Sequence, residues 1–119
     1  MRRRIASLSL VAALAVVVTL GVGGAPAMAG DAHAVIKIHH FAYQGDLVVS
    51  PGQTVTVINL DGKRLGIPHS LTSNDGEEVF NTEPFILGHR QIVAPLAPGS
   101  YRFHCEIHDT MKGTLYVIG

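Results

Sequence analysis

Three side chains with sulfur or nitrogen metal-donor atoms fall within the seven residues Cys105-Glu106-Ile107-His108-Asp109-Thr110-Met111. A thiol, an imidazole and a thioether recur there at a three-residue spacing. Cys105 is the chain's one cysteine, and the two other methionines, Met1 and Met28, lie near the amino terminus. Methionine usually fills irregular gaps in apolar cores, yet Met111 stands in a polar stretch after a β-rich run. Thiolate and thioether are soft donors, and imidazole is intermediate. Together they suit copper, whose Cu(I) state favours sulfur and whose Cu(II) state accepts nitrogen. Zinc sites are built instead from Cys, His and carboxylate. A catalytic thiol needs a base and a path for substrate, whereas the partners of Cys105 in this motif are metal donors. A second imidazole is needed, and His69 in Gly66-Ile67-Pro68-His69-Ser70 is the best placed, because Pro68 stiffens the approach to it. The expected metal ligands are therefore His69, Cys105, His108 and Met111, around one copper ion.

Ligands from two distant segments need a rigid frame. Ala34 to Phe41, Leu47 to Val49, Thr54 to Ile58, Ser70 to Ser73, Gln91 to Ala94, Ser100 to Cys105 and Thr114 to Ile118 read as short strands. Thr54-Val55-Thr56-Val57-Ile58 alternates with period two, as a half-buried strand does. Ser50-Pro51-Gly52, Asn59-Leu60-Asp61-Gly62-Lys63, Asn74-Asp75-Gly76 and Ala97-Pro98-Gly99 supply turn chemistry between them. No window has a helical period of useful length. Short strands separated by Gly and Pro turns predict an all-β sandwich or barrel, and the loops of a sandwich cluster at its ends.

The first 29 residues carry a different message. Arg2-Arg3-Arg4 is followed by an apolar run from Ile5 to Val22 and by small residues ending in Ala27-Met28-Ala29. Basic start, apolar middle and Ala-x-Ala site predict a signal peptide over residues 1–29, cleaved after Ala29 and leaving residues 30–119 as one exported domain. The apolar run is short for a membrane span, so no stable membrane insertion is expected after cleavage. Loss of Arg2, Arg3 and Arg4 reduces nine basic residues to six against nine acidic ones, a net charge of about −3 with His neutral. Without a basic patch, nucleic-acid binding is excluded. A lone cysteine outside the cytoplasm cannot close an internal disulfide, and metal ligation accounts for it.

The tracts from Val49 to Asn59, around Pro68-His69 and from Pro98 to Cys105 resemble the cupredoxin family of small type 1 blue-copper proteins, and the resemblance runs from Phe41 to Val117. The spacing of Cys105, His108 and Met111 is similar to that of amicyanin; plastocyanin-like loops are longer. The resemblance implies a single-domain Greek-key β-sandwich. It implies imidazole nitrogens from His69 and His108, a short thiolate bond from Cys105 and a weak axial thioether from Met111. It also implies a monomer that passes single electrons between exported or periplasmic redox proteins by Cu(II)/Cu(I) cycling. Ile107 stands where relatives commonly have Pro. Ser70 stands where several have an Asn that braces the loops, so a weaker brace is expected here.

The other histidines read differently. His104 adjoins Cys105 on a strand and should point away from the metal. His39 and His40 should alternate faces of the first strand as structural residues, and His89 should be a surface residue. Asp31-Ala32-His33 would chelate Cu(II) only if Asp31 were the amino terminus, and cleavage after Ala29 spoils that geometry. Ile67, Pro68, Ile86, Leu87 and Ile107 are candidates for an apolar ring around the His108 edge. Three functions compete. A copper storage or delivery protein would use exposed clusters of Met or His, and Met111 stands alone. A copper enzyme would need a second, catalytic copper. The reading adopted is a non-enzymatic electron carrier.

Overall fold

The computed structural model describes residues 33–119; the expected signal segment and Asp31-Ala32 lie outside the described residues. Eight strands and one short helix follow in the order β1 (Ala34–His39), β2 (Ala42–Gly45), β3 (Val48–Val49), β4 (Thr54–Asn59), α1 (Leu60–Leu65), β5 (Thr72–Ser73), β6 (His89–Val93), β7 (Gly99–His104) and β8 (Lys112–Val117). They form two four-stranded sheets, ordered β2-β1-β4-β6 and β3-β8-β7-β5. Each sheet is mixed: β1 runs parallel to β4 and β3 to β8, and the other pairs are antiparallel. The expected β-sandwich is present.

Period-two patterning builds the core. In β1, Ala34, Ile36 and Ile38 are buried, while Lys37 between them is exposed. Val55 and Val57 of β4 and Ile92 of β6 add to that face. The second sheet contributes Val49, Phe103, Leu115 and Val117. Burying each such aliphatic side chain contributes about 1.5–3 kcal/mol. Cys105 and Met111 belong to the same buried cluster, so the metal-donor end of the sandwich is continuous with its core.

Two local expectations are corrected. Asn59 to Lys63 is not merely a turn, because Leu60–Leu65 forms a helix. Asn59 caps it, its side chain accepting from Gly62 N, and Gly66 at φ 73° ends it in the left-handed conformation that glycine adopts without penalty. Six residues are too few for hydrophobic periodicity to reveal a helix. The first strand also stops at His39 rather than running to Phe41. His40 and Phe41, at φ 54° and 59°, form a two-residue turn into β2, so His40 is not a strand residue. Non-glycine residues at positive φ are rare, with His among the more tolerant types, and Phe signals no such turn.

Candidate metal centre

The Cys-x-x-His-x-x-Met segment is the connection of the β7–β8 hairpin. His104 pairs with Lys112 at the loop end of the hairpin, and Cys105 N donates to Met111 O (3.1 Å) across the base of the loop. Met111 N turns back to His108 O (2.9 Å). The loop is thus closed by its own backbone, with Cys105 and Met111 at its neck and His108 at its tip. Cys105 (1% exposed) and Met111 (3%) are buried, and His108 is half-buried.

His69 arrives from the other segment, between α1 and β5. Its N donates to Phe85 O (3.1 Å) and its O accepts from Phe85 N (2.9 Å). Buried Asn59 donates through Nδ2 to Ile67 O (2.9 Å) and Phe85 O (2.8 Å), tying both strips to the end of β4. The Tyr43 hydroxyl donates to Ser70 O (2.6 Å). Burial, with the Cys105 sulfur adding, pushes that hydroxyl well above the usual tyrosine range. His69 itself is fully buried.

The two segments bring three donors together. Cys105 Sγ lies 3.9 Å from His69 Nδ1 and 3.6 Å from His108 Nδ1, and the three donor atoms lie within 4.8 Å of one another. Bonds of about 2.0–2.1 Å to imidazole and 2.3 Å to thiolate, at tetrahedral to trigonal angles, put nitrogen and sulfur about 3.5–3.8 Å apart. The His108 spacing of 3.6 Å falls in that range and the His69 spacing of 3.9 Å lies 0.1 Å beyond it, so the residues present fit a metal. Both imidazoles turn Nδ1 toward the sulfur. His69 Nε2 is hydrogen-bonded to Asp61 Oδ2 (2.9 Å), which makes Nε2 the protonated nitrogen and leaves the Nδ1 lone pair for a metal.

Asp61 is a residue of the site that spacing could not reveal, since it looks like a turn or helix-start acid. It is fully buried. Its carboxylate also accepts from His40 N (2.8 Å) and Phe41 N (2.9 Å). Burial pushes its carboxyl up, but the bonds from Phe41, His40 and His69 outweigh that and hold it below the usual carboxylate range. Phe41 was likewise not anticipated as a site residue. Its ring meets His69 and His108 edge-on, at centroid distances of 5.2 and 5.1 Å.

Ser70 is not the weak brace expected. Its N donates to Cys105 Sγ (3.4 Å), and its Oγ accepts from Glu106 N (2.9 Å). Ser70 Oγ also meets Thr72 Oγ1 (3.0 Å), which reaches Glu106 Oε2 (2.9 Å). The hydroxyl thus spans the two loops directly at Glu106 N, and Thr72 adds a second link at the Glu106 carboxylate.

The remaining expectations can be placed too. His104 Nδ1 is bonded to Asn74 Oδ1 (2.5 Å), outside the donor cluster. His89 is exposed on β6. Ile86, Leu87 and Ile107 are exposed (44, 65 and 44%), and Ile67 and Pro68 are half-buried.

A family model described as cupredoxin-like domain matches residues 10–117. No curated protein matches the chain significantly. Among solved structures, an oxidised methionine-to-leucine mutant of amicyanin is 26% identical, with a TM-score of 0.60, over 77% of this chain and 88% of that one. A reduced tryptophan-to-tyrosine mutant of amicyanin is 27% identical, with a TM-score of 0.58 and the same coverage.

Proposed function

The chain belongs to the cupredoxin-like family, and from that premise we propose that it is an electron carrier whose single copper ion is held by His69, Cys105, His108 and Met111. The observation that carries this reading is the placement of one thiolate and two imidazole donors at metal-ligand spacing around a buried sulfur. Copper supplies the one-electron Cu(II)/Cu(I) couple when bound.

The chain's own residues account for the rest. Phe85, Asp61, Ser70 and the loop-neck bonds hold the donors, so little rearrangement accompanies a change of charge, and a small rearrangement means a small barrier. His69 and Cys105 are sealed from water, while the half-buried His108 is the donor that approaches the surface. The exposed Phe41, Ile86, Leu87 and Ile107 form an apolar docking surface for redox proteins. Transient partners of this kind bind through small interfaces. Residues 1–29 act as a cleaved export signal, and the mature protein works as a periplasmic or extracellular monomer.

The test is the visible spectrum of the purified mature domain after addition of Cu(II). An intense band near ~600 nm, from thiolate-to-copper charge transfer, that ascorbate bleaches is expected. A protein that binds copper without that band would point to storage or delivery, with Cys105 not bound to the metal.

A further inference from the structure

The β1–β2 turn is built from the wrong residues for its shape. Two-residue turns with both central residues at positive φ draw Asn-Gly, Asp-Gly or Gly-Gly. Here His40 and Phe41 adopt φ 54° and 59°, at a cost of about 1–2 kcal/mol per residue. The turn's position explains the choice. From position 41 a side chain reaches both imidazoles, and Phe41 sets its ring at 84° to His69 and 88° to His108, the edge-to-face arrangement aromatic rings prefer.

One carboxylate makes this affordable. Asp61 takes both N–H groups of the turn, and on the same oxygen that accepts from Phe41 it accepts from His69 Nε2. Bonds to an ionised acceptor are roughly twice as strong as neutral ones. The nearest cation, Arg64 Nη1, stands 3.8 Å from the other oxygen and is half-exposed. The carboxylate is fully buried, so its charge is directed at the imidazole rather than screened by water.

We propose that Asp61 is a positioning residue of the metal centre. Its carboxylate fixes the His69 ring and makes that imidazole a stronger donor, and through the same oxygens it holds the turn that seats Phe41 on both histidines. A buried negative charge bonded to a ligand favours the more positively charged oxidised metal, so Asp61 lowers the reduction potential.

This inference rests on the copper-site reading. The experiment uses the mature protein and Asp61→Asn, measuring Cu(II) affinity by competition with a chelator and potential by voltammetry. Asn presents an amide N–H toward backbone donors, and the variant can fail to fold. Asp61→Asn is therefore repeated in a His40→Asn/Phe41→Gly background, whose turn needs no carboxylate. In each background that folds, Asp61→Asn is expected to weaken copper binding 10–100-fold, the usual effect of losing such an outer partner, and to raise the potential. Affinity within twofold and an unmoved potential would overturn the proposal. So would a shift that vanishes in the Asn-Gly background, because Asp61 would then be only a turn clamp. A parent protein that binds copper without the ~600 nm band would defeat the electron-carrier reading instead, and the affinity comparison would still decide the role of Asp61.

Discussion

Gly62 lies inside α1, and replacing a helical glycine with alanine ordinarily stabilises a protein by about 1 kcal/mol. Gly62→Ala is expected to do the reverse. A Cβ at this position would stand 1.6 Å from Ile86 O and 2.6 Å from Ile86 C. Ordinary contact begins at 3.4 Å, so the Ile86 carbonyl must retreat by about 1.8 Å, the difference between those distances, before van der Waals overlap is relieved. Ile86 is joined to Phe85, which exchanges two hydrogen bonds with His69 and accepts a third from Asn59. Overpacking of this kind costs about 1–3 kcal/mol, and each of the three buried bonds is worth about 1 kcal/mol. Against the helix gain, the net loss is about 3–5 kcal/mol if all three bonds go, enough to lower the melting temperature of a domain this size by ten degrees or more (about 4–8 °C per kcal/mol). Thermal unfolding of the metal-free protein by circular dichroism measures this directly. Copper affinity should fall with it, since the strip that moves carries the backbone partner of His69. A Gly62→Ala protein as stable as the parent would refute the reasoning. The strip over α1 would then be free to move, and His69 would not depend on it.

Two further substitutions probe the same frame. Ser70→Ala removes the acceptor of Glu106 N and should cost about 1–3 kcal/mol in urea unfolding; an unchanged midpoint would show that the hydroxyl does not brace the loops. The Tyr43 hydroxyl is held protonated in the folded state but ionises near pH 10 when unfolded. Above pH 10 the unfolded chain therefore binds fewer protons, and stability should fall by up to about 1.4 kcal/mol per pH unit. Tyr43→Phe should lose that part of the alkaline slope, at the expense of the bond to Ser70 O; an identical slope in both proteins would contradict the assignment.

The chemistry was more legible in the sequence than the means of holding it. Cys105, His108 and Met111 stand out as candidate donors because one hairpin loop carries all three, and local spacing survives folding. His69 needed the argument that a copper set lacks one imidazole, and the Phe85 strip that positions it gave no signal at all. The strands of the core were legible from period-two patterning at Ile36, Ile38, Val55 and Val57. α1 was not, because one and a half turns cannot display a period. The His40–Phe41 turn was hidden for a different reason. Its conformation is imposed by a carboxylate 20 residues away in the chain, and no local propensity encodes a bond of that separation. The expectation about Ser70 failed similarly: a lost Asn was weighed alone, while the structure recruits Thr72 and Glu106 to span the same gap.

These misses share a consequence for function. Each donor is anchored by contacts that need no metal: His69 by Phe85 and Asp61, Cys105 by Ser70 N and Met111 O, and His108 by Met111 N and the Phe41 ring. A structural zinc module takes its folding energy from the ion and is unfolded without it. Here the core from Ile36 to Val117 closes the sandwich, and the anchors are hydrogen bonds and ring contacts of the protein itself. A site set by the protein resists the geometric preferences of either copper oxidation state. Asp61, read in the sequence as a turn residue, Phe41, read as the end of a strand, and Ser70, read as a weaker brace, are therefore what would suit the proposed donors to the proposed electron transfer.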